Sequence, residues 1–200
     1  MSQRSDTTSR RPHSAPEVGA SCSTASLTTI LGRVADGDAS AKDALWHRVY
    51  EELHDRARHI LWRRNASLRP TEMVQEVFLK FESQRKTPLN RTHFRAVAAR
   101  LMYRVLLDHL ESRGRRERAR VTLHEEELPA SSAFDVDALA LRQAMERLEA
   151  DEPRLAAIVV YRFFGDLTMA EIAEELELTE RHVYRLWRFA RARLLSELES

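Results

Sequence analysis

Arginine is the residue type with the most chemistry to offer in this sequence, and it comes in blocks. Five arginines and no acid lie between Arg181 and Arg193. Five more face a single glutamate between Arg113 and Arg120, and four stand without an acid between Arg91 and Arg104. A guanidinium can bond guanine O6 and N7 with two parallel N–H groups, and it also neutralises phosphate. The whole chain carries a net charge of only +1 over 200 residues. The positive charge is therefore local, and acids gather elsewhere, in "EEEL" (125–128) and from Glu171 to Glu177. Such patterning fits a nucleic-acid partner at particular faces, which net charge alone would not reveal.

The other residue types capable of chemistry do not assemble into a site. The eight histidines are scattered; His54 and His59 are five apart, a poor spacing for a shared helical metal site. The neighbours Asp108 and His109 are ordinary helix content. No Gly-rich phosphate loop and no nucleophile motif occurs. Cys22 is the single cysteine, so no intramolecular disulfide and no Cys-rich zinc framework can form. The expectation is no catalytic residue, no metal and no cofactor. The longest apolar run is too short to span a bilayer, and no export signal is evident, so no membrane insertion and a reducing cytoplasm are expected.

The arginines need elements to hold them. In "MAEIAEELELTERHVYRLWRFARARL" (169–194), Thr168 is followed three residues later by Glu171, a capping-box start for a helix whose apolar stripe is Ile172, Ala173 and Leu176. "LELTE" interrupts it, and Thr179 suits the N-cap of a second helix. On that second helix Val183, Leu186, Trp187, Ala190 and Leu194 form one apolar stripe. Arg181, Arg185 and Arg188 fall roughly opposite, with Tyr184 and Arg191 on a flank. Two short helices with a tight turn make a helix-turn-helix, whose second helix enters the major groove. The acidic first helix stays away from phosphate while the basic one goes in. Small Ala173 permits close approach, and Leu178 plugs the turn. Glu177 stands where many such turns carry glycine; left-handed there, it costs roughly 1 kcal/mol. The competing reading is an amphipathic hairpin with a solvated basic face.

Composition divides the chain. Residues 1–23 are rich in Ser, Thr, Pro and Arg and read as a disordered tail. Residues 24–120 show helical periodicity. Residues 121–135, with Pro129 and a Ser pair, read as a flexible acidic linker, and 136–200 resume the helical pattern. The expectation is an all-α protein of two small helical domains. In the first, "PTEMVQEVFLKF" (70–81) opens with Pro70, favoured at a helix start. Val74, Val77, Phe78 and Phe81 can face inward, while Glu72, Gln75, Glu76 and Leu79 project elsewhere. A helix expected from about Thr92 to Ser112 is apolar around much of its circumference, punctuated by Arg95, Arg100, Tyr103 and Arg104.

Three segments in order resemble the extracytoplasmic-function (ECF) group of sigma-70-type RNA polymerase sigma factors. "LRPTEMVQEVFLKF" (68–81) resembles the region 2 helix that docks on the polymerase core. "NRTHFRAVAARLMYRVLLDHLESRGRRERAR" (90–120) resembles the next region 2 helix with its basic end. "LEADEPRLAAIVVYRFFGDLTMAEIAEELELTERHVYRLWRFARARL" (148–194) resembles region 4. The resemblance covers about residues 27–198. It implies a sigma region 2 bundle over 24–120 and a sigma region 4 helix-turn-helix over 136–200.

The same resemblance implies two partners, RNA polymerase core (the β′ and β subunits) and promoter DNA. Glu72, Gln75, Glu76 and Leu79 would meet a coiled coil of β′. His93, Arg100 and Tyr103, with the loop "ESQRKTPLN" (82–90), would handle the −10 element by stacking and pockets beside a basic track. For Tyr103 the competing reading is packing against a neighbouring helix. Thr179, Arg181, His182, Tyr184, Arg185 and Arg188 would read the −35 element. An anti-sigma factor is a further partner in many members of the group, and nothing in the sequence identifies one. Outside the resemblance stand a conventional helix-turn-helix regulator that does not bind polymerase, and a DNA recombinase, for which no catalytic serine or tyrosine constellation is found.

Overall fold

The computed structural model describes residues 26–62, 68–84, 87–123 and 133–198, with the side chains of 115–139 outside that description. These residues form helices and no strand. The helices are α1 (Leu27–Ala35), α2 (Ala39–Trp62), α3 (Pro70–Glu82), α4 (Arg91–Leu123), α5 (Ala133–Asp151), α6 (Pro153–Phe164), α7 (Met169–Glu175) and α8 (Glu180–Leu198). The expected all-α class is what the chain adopts. The tail over 1–23, including Cys22, lies outside the described residues.

Local chemistry sets the helix starts. Ser26 caps α1 by accepting from Thr29 N at 3.2 Å. Asp38 caps α2, its Oδ1 accepting from Ser40 N at 2.9 Å and Ala41 N at 3.3 Å. Bonds from Ser40 and Arg33 hold the Asp38 carboxyl down at about 2. Pro70 opens α3 and Pro153 opens α6, where a missing N–H costs nothing.

The first four helices close one bundle. α2 packs on α1 and α3, and α3 on α4. Ile30, Leu31, Leu45, Val49, Met73, Val74, Val77, Phe94 and Val97 are buried at its centre. Trp46 stands edge-on to Phe78 at 4.5 Å and to Phe81 at 5.4 Å, and Phe81 meets Phe94 at 5.8 Å. Phe78 and Phe81 are only half-buried, so Val74 and Val77 carry the inward face together with Met73, which the sequence pattern had not singled out. The last four helices form a second bundle. There α8 rests on α5, α6 and α7 through Val183, Ala190 and Leu194, with Leu186 and Trp187 partly covered.

The boundaries between the two parts differ from the sequence reading. α4 runs through Leu123, eleven residues past the expected Ser112. Its extension "RGRRERARVTL" is dominated by Arg, Ala and Glu, all good helix formers, and the one glycine costs about 1 kcal/mol. α5 begins at Ala133, so 121–123 and 133–135 of the expected linker are helical and residues 124–132 lie outside the description.

The two bundles are also packed on each other. α4 lies along α6, and α7 and α2 add contacts, so that all buried apolar residues form one continuous cluster. Gly165, at the end of α6, lies on this seam, where an added Cβ would also run into the Leu167 side chain. A Cβ there would stand 2.9 Å from Tyr161 O and 3.1 Å from the Ala99 Cβ on α4.

Candidate nucleic-acid interface

α7 and α8 realise the helix-turn-helix from their first residues. Thr168 Oγ1 accepts from Glu171 N at 3.2 Å, and Glu171 Oε2 accepts in return from Thr168 N at 2.7 Å. The turn after α7 is a Schellman pair: Leu178 N bonds Ala173 O at 2.9 Å and Glu177 N bonds Glu174 O at 3.3 Å. Glu177 sits between them at φ +54°, in the left-handed region. Leu178 is partly buried against the core cluster. Thr179 then caps α8, its Oγ1 accepting from His182 N at 3.3 Å.

This scaffold fixes which way α8 faces. Val183 and Ala190 are completely buried, and that orients Arg181, Arg185 and Arg188 outward. Tyr184 is half exposed on the same side. Thr179 is exposed at the helix start and His182 is half-buried beside it. Among the described residues no carboxylate pairs with Arg181, Arg185 or Arg188. Arg193 differs: it is ion-paired to Asp151 and lies 3.7 Å from Glu197. The bond from Asp151 raises its pKa further, so its charge is spent within the fold.

The α3 residues also share a face. Glu72, Gln75, Glu76 and Leu79 are all exposed at i, i+3, i+4 and i+7. Leu79 is an apolar side chain 58% exposed among acids and amides. Glu72 Oε2 accepts from Arg69 N at 3.0 Å and fixes the start of the helix.

The three α4 residues are not brought together on one open surface. His93 is half-buried at the start of α4, next to the loop that exposes Leu89. Arg100 is exposed, but its guanidinium lies 5.6 Å from the Tyr161 ring of α6. Tyr103 is only 6% exposed and stands edge-on to Phe164 at 5.4 Å. It faces α6 and not solvent, because the apolar side of α4 serves as packing surface for both bundles. Of its two readings, helix packing is the one this arrangement takes. Burial, with Glu149 and Glu146 adding to it, pushes the Tyr103 phenol up to about 12, so it is a neutral donor at ordinary pH.

Two arginines that the sequence left without a role hold this junction. Arg95 donates to Glu171 Oε1 at 2.7 Å, to Gly165 O at 3.0 Å and to Asp166 O at 2.7 Å. Arg56 donates to Phe164 O at 3.1 Å and lies 3.2 Å from the Asp166 carboxylate. The carbonyls at the end of α6 have no partners within their own helix, and they carry its negative dipole end. Cations from the other bundle satisfy the last of them, Phe164 O, and the Gly165 and Asp166 carbonyls that follow the helix. Burial lowers the Arg56 pKa and Asp166 opposes this. Asp166, at φ +53°, adopts the left-handed backbone that brings its carbonyl to Arg95. No local sequence signal marks these contacts, because the partners are 70 or more positions apart.

No helix among the described residues is long and apolar enough to cross a membrane. A family model described as ECF sigma factor matches residues 24–200, nearly the whole chain. No curated protein matches it.

Proposed function

The chain belongs to the ECF sigma factor family, and from that membership we propose that it binds the core of bacterial RNA polymerase and directs it to promoters with −10 and −35 elements. A sigma factor acts in transcription initiation with polymerase core and promoter DNA as partners, and the family is not enzymatic. Such work is done in the cytoplasm. The observation that carries the finer reading is α8: an exposed row of Arg181, Arg185 and Arg188 on the second helix of a capped helix-turn-helix. With Thr179, His182 and Tyr184 at its start, that row is the −35 reader.

The remaining assignments follow the same reading. The α3 face of Glu72, Gln75, Glu76 and Leu79 docks on β′, an acidic and amide surface against a basic partner helix. Region 4 meets β, and an anti-sigma factor remains a further candidate partner. Residues 24–120 act as region 2 and 136–200 as region 4. His93 and Arg100 begin the handling of the −10 element. Tyr103 joins them only after α6 has left α4.

Run-off transcription with purified core enzyme and a genomic promoter library tests the whole proposal. Specific transcripts sharing a two-part upstream motif are expected. The pair Gln75→Ala with Glu76→Arg should lose core binding in a pull-down while the circular dichroism spectrum stays unchanged. A chain that binds DNA sites but never core enzyme would be a conventional regulator.

A further inference from the structure

The seam between the two bundles covers part of what the promoter reading assigns to α4. Tyr103 is packed against Phe164, and the Arg100 guanidinium lies 5.6 Å from the Tyr161 ring of α6. Arg56 and Arg95 hold the end of α6 there, through the carbonyls of Phe164, Gly165 and Asp166 and the Glu171 carboxylate. Neither arginine belongs to the faces assigned to DNA or polymerase. Distance is a second obstacle. Elements at −10 and −35 stand about 25 positions apart by number, which is about 85 Å of duplex at roughly 3.4 Å per base pair. A compact body of about 170 residues is only roughly 40 Å across. While α6 lies along α4, the two readers cannot reach both elements. The packed arrangement also carries a standing cost. Tyr103 Oη and Arg142 Nε are buried without a hydrogen-bond partner among the described residues, and Arg142 sits where α5 comes within 4.0 Å of Glu111 on α4. Native folds rarely leave such atoms unpaired, and parting α4 from α5 and α6 returns them to water.

We propose that this seam is an autoinhibitory latch, in which Arg56 and Arg95 grip the end of α6 and keep the free chain from promoters until polymerase core separates the bundles. The latch rests on the sigma reading above and adds to it a closed state that polymerase must overcome. Only the open form spans both elements. The apparent affinity for core is therefore the intrinsic one reduced by the fraction of chains already open. Core can raise that fraction only by binding the open form better than the closed one. The sign of a mutational effect then separates two roles. Removing an arginine that touches DNA or core directly weakens binding. Removing an arginine that holds the closed form strengthens it.

Fluorescence anisotropy of the labelled full chain, titrated with purified core enzyme, measures that sign. The double variant Arg56→Ala with Arg95→Ala is expected to bind core about tenfold more tightly than the parent chain. At limiting core it should also give more run-off transcript, from promoters with the same upstream motif. Ala99→Leu tests the seam independently of charge. It wedges α4 away from α6 opposite Gly165, where room for one further carbon is already lacking, and should shift the affinity in the same direction. Circular dichroism identifies which variants are folded. Unchanged or weaker core binding by a folded variant, beside a parent that binds core, would overturn the latch and leave the sigma reading standing. A parent chain that binds no core would overturn the sigma reading, and the latch with it.

Discussion

At the scale of single residues, α8 separates arginines by what surrounds them. Arg181, Arg185 and Arg188 are exposed and pair with no described carboxylate, whereas Arg193 is held by Asp151. An arginine that reads a base is worth about 1–3 kcal/mol of discrimination, while a phosphate contact changes affinity evenly across sequences. Arg185→Ala should therefore relax the −35 motif selected from a randomised promoter library at fixed salt. Arg188→Ala should act partly through phosphate, and Arg193→Ala should leave the motif alone. If all three outward substitutions left motif and affinity unchanged, α8 would be a solvated or protein-binding face. Tyr103 gives a prediction in pH. Its folded pKa of about 12 lies above the ordinary 10.0, so the unfolded chain loses the phenolic proton first as pH rises. Stability from this group is complete below pH 10 and falls between pH 10 and about 12. Denaturant titrations across that range should show a shallower decline in Tyr103→Phe than in the parent chain.

At the scale of elements, the helix-turn-helix was legible because its signals are local. Thr168, Glu171 and Thr179 cap within three residues of themselves, and the α8 stripe repeats at helical spacing. The left-handed Glu177 was legible too, from its place in the turn. Replacing it with glycine removes the Cβ clash and should stabilise the chain by about 1 kcal/mol. For a chain of this size that is a rise of about 2–4 °C in melting temperature, measured by scanning calorimetry. An unchanged or lower value would mean that the Glu177 side chain contributes as much as its backbone costs. What the pattern could not show was the length of α4 and the fate of its apolar circumference. A helix apolar on several sides must pack on several neighbours, but periodicity does not name them. Phe94 turned toward α3 and Tyr103 toward α6.

At the scale of the whole molecule, the unexpected feature is that the two bundles share one core. Arg56 and Arg95 reach across it to the end of α6, and Gly165 leaves just enough room for Ala99. These contacts join distant positions, so no window of sequence contains both partners. Charge reversal tests them. In the double variant Arg56→Glu with Arg95→Glu, glutamates would face Glu171, Asp166 and the α6 carbonyls, and the bundles should separate. Small-angle scattering should then record a larger radius of gyration with helix content preserved; an unchanged radius would mean that the apolar seam holds without them. Glu171 carries the remaining consequence. One of its oxygens starts α7 through Thr168 N, and the other holds Arg95, each at 2.7 Å. A single carboxylate thus belongs to the helix-turn-helix and to the seam at once. Its two engagements are thermodynamically linked, and the linkage runs equally in both directions. Whatever prises α4 away from α6 alters the footing of the helix that supports α8, and whatever grips that helix-turn-helix alters how firmly the molecule stays shut.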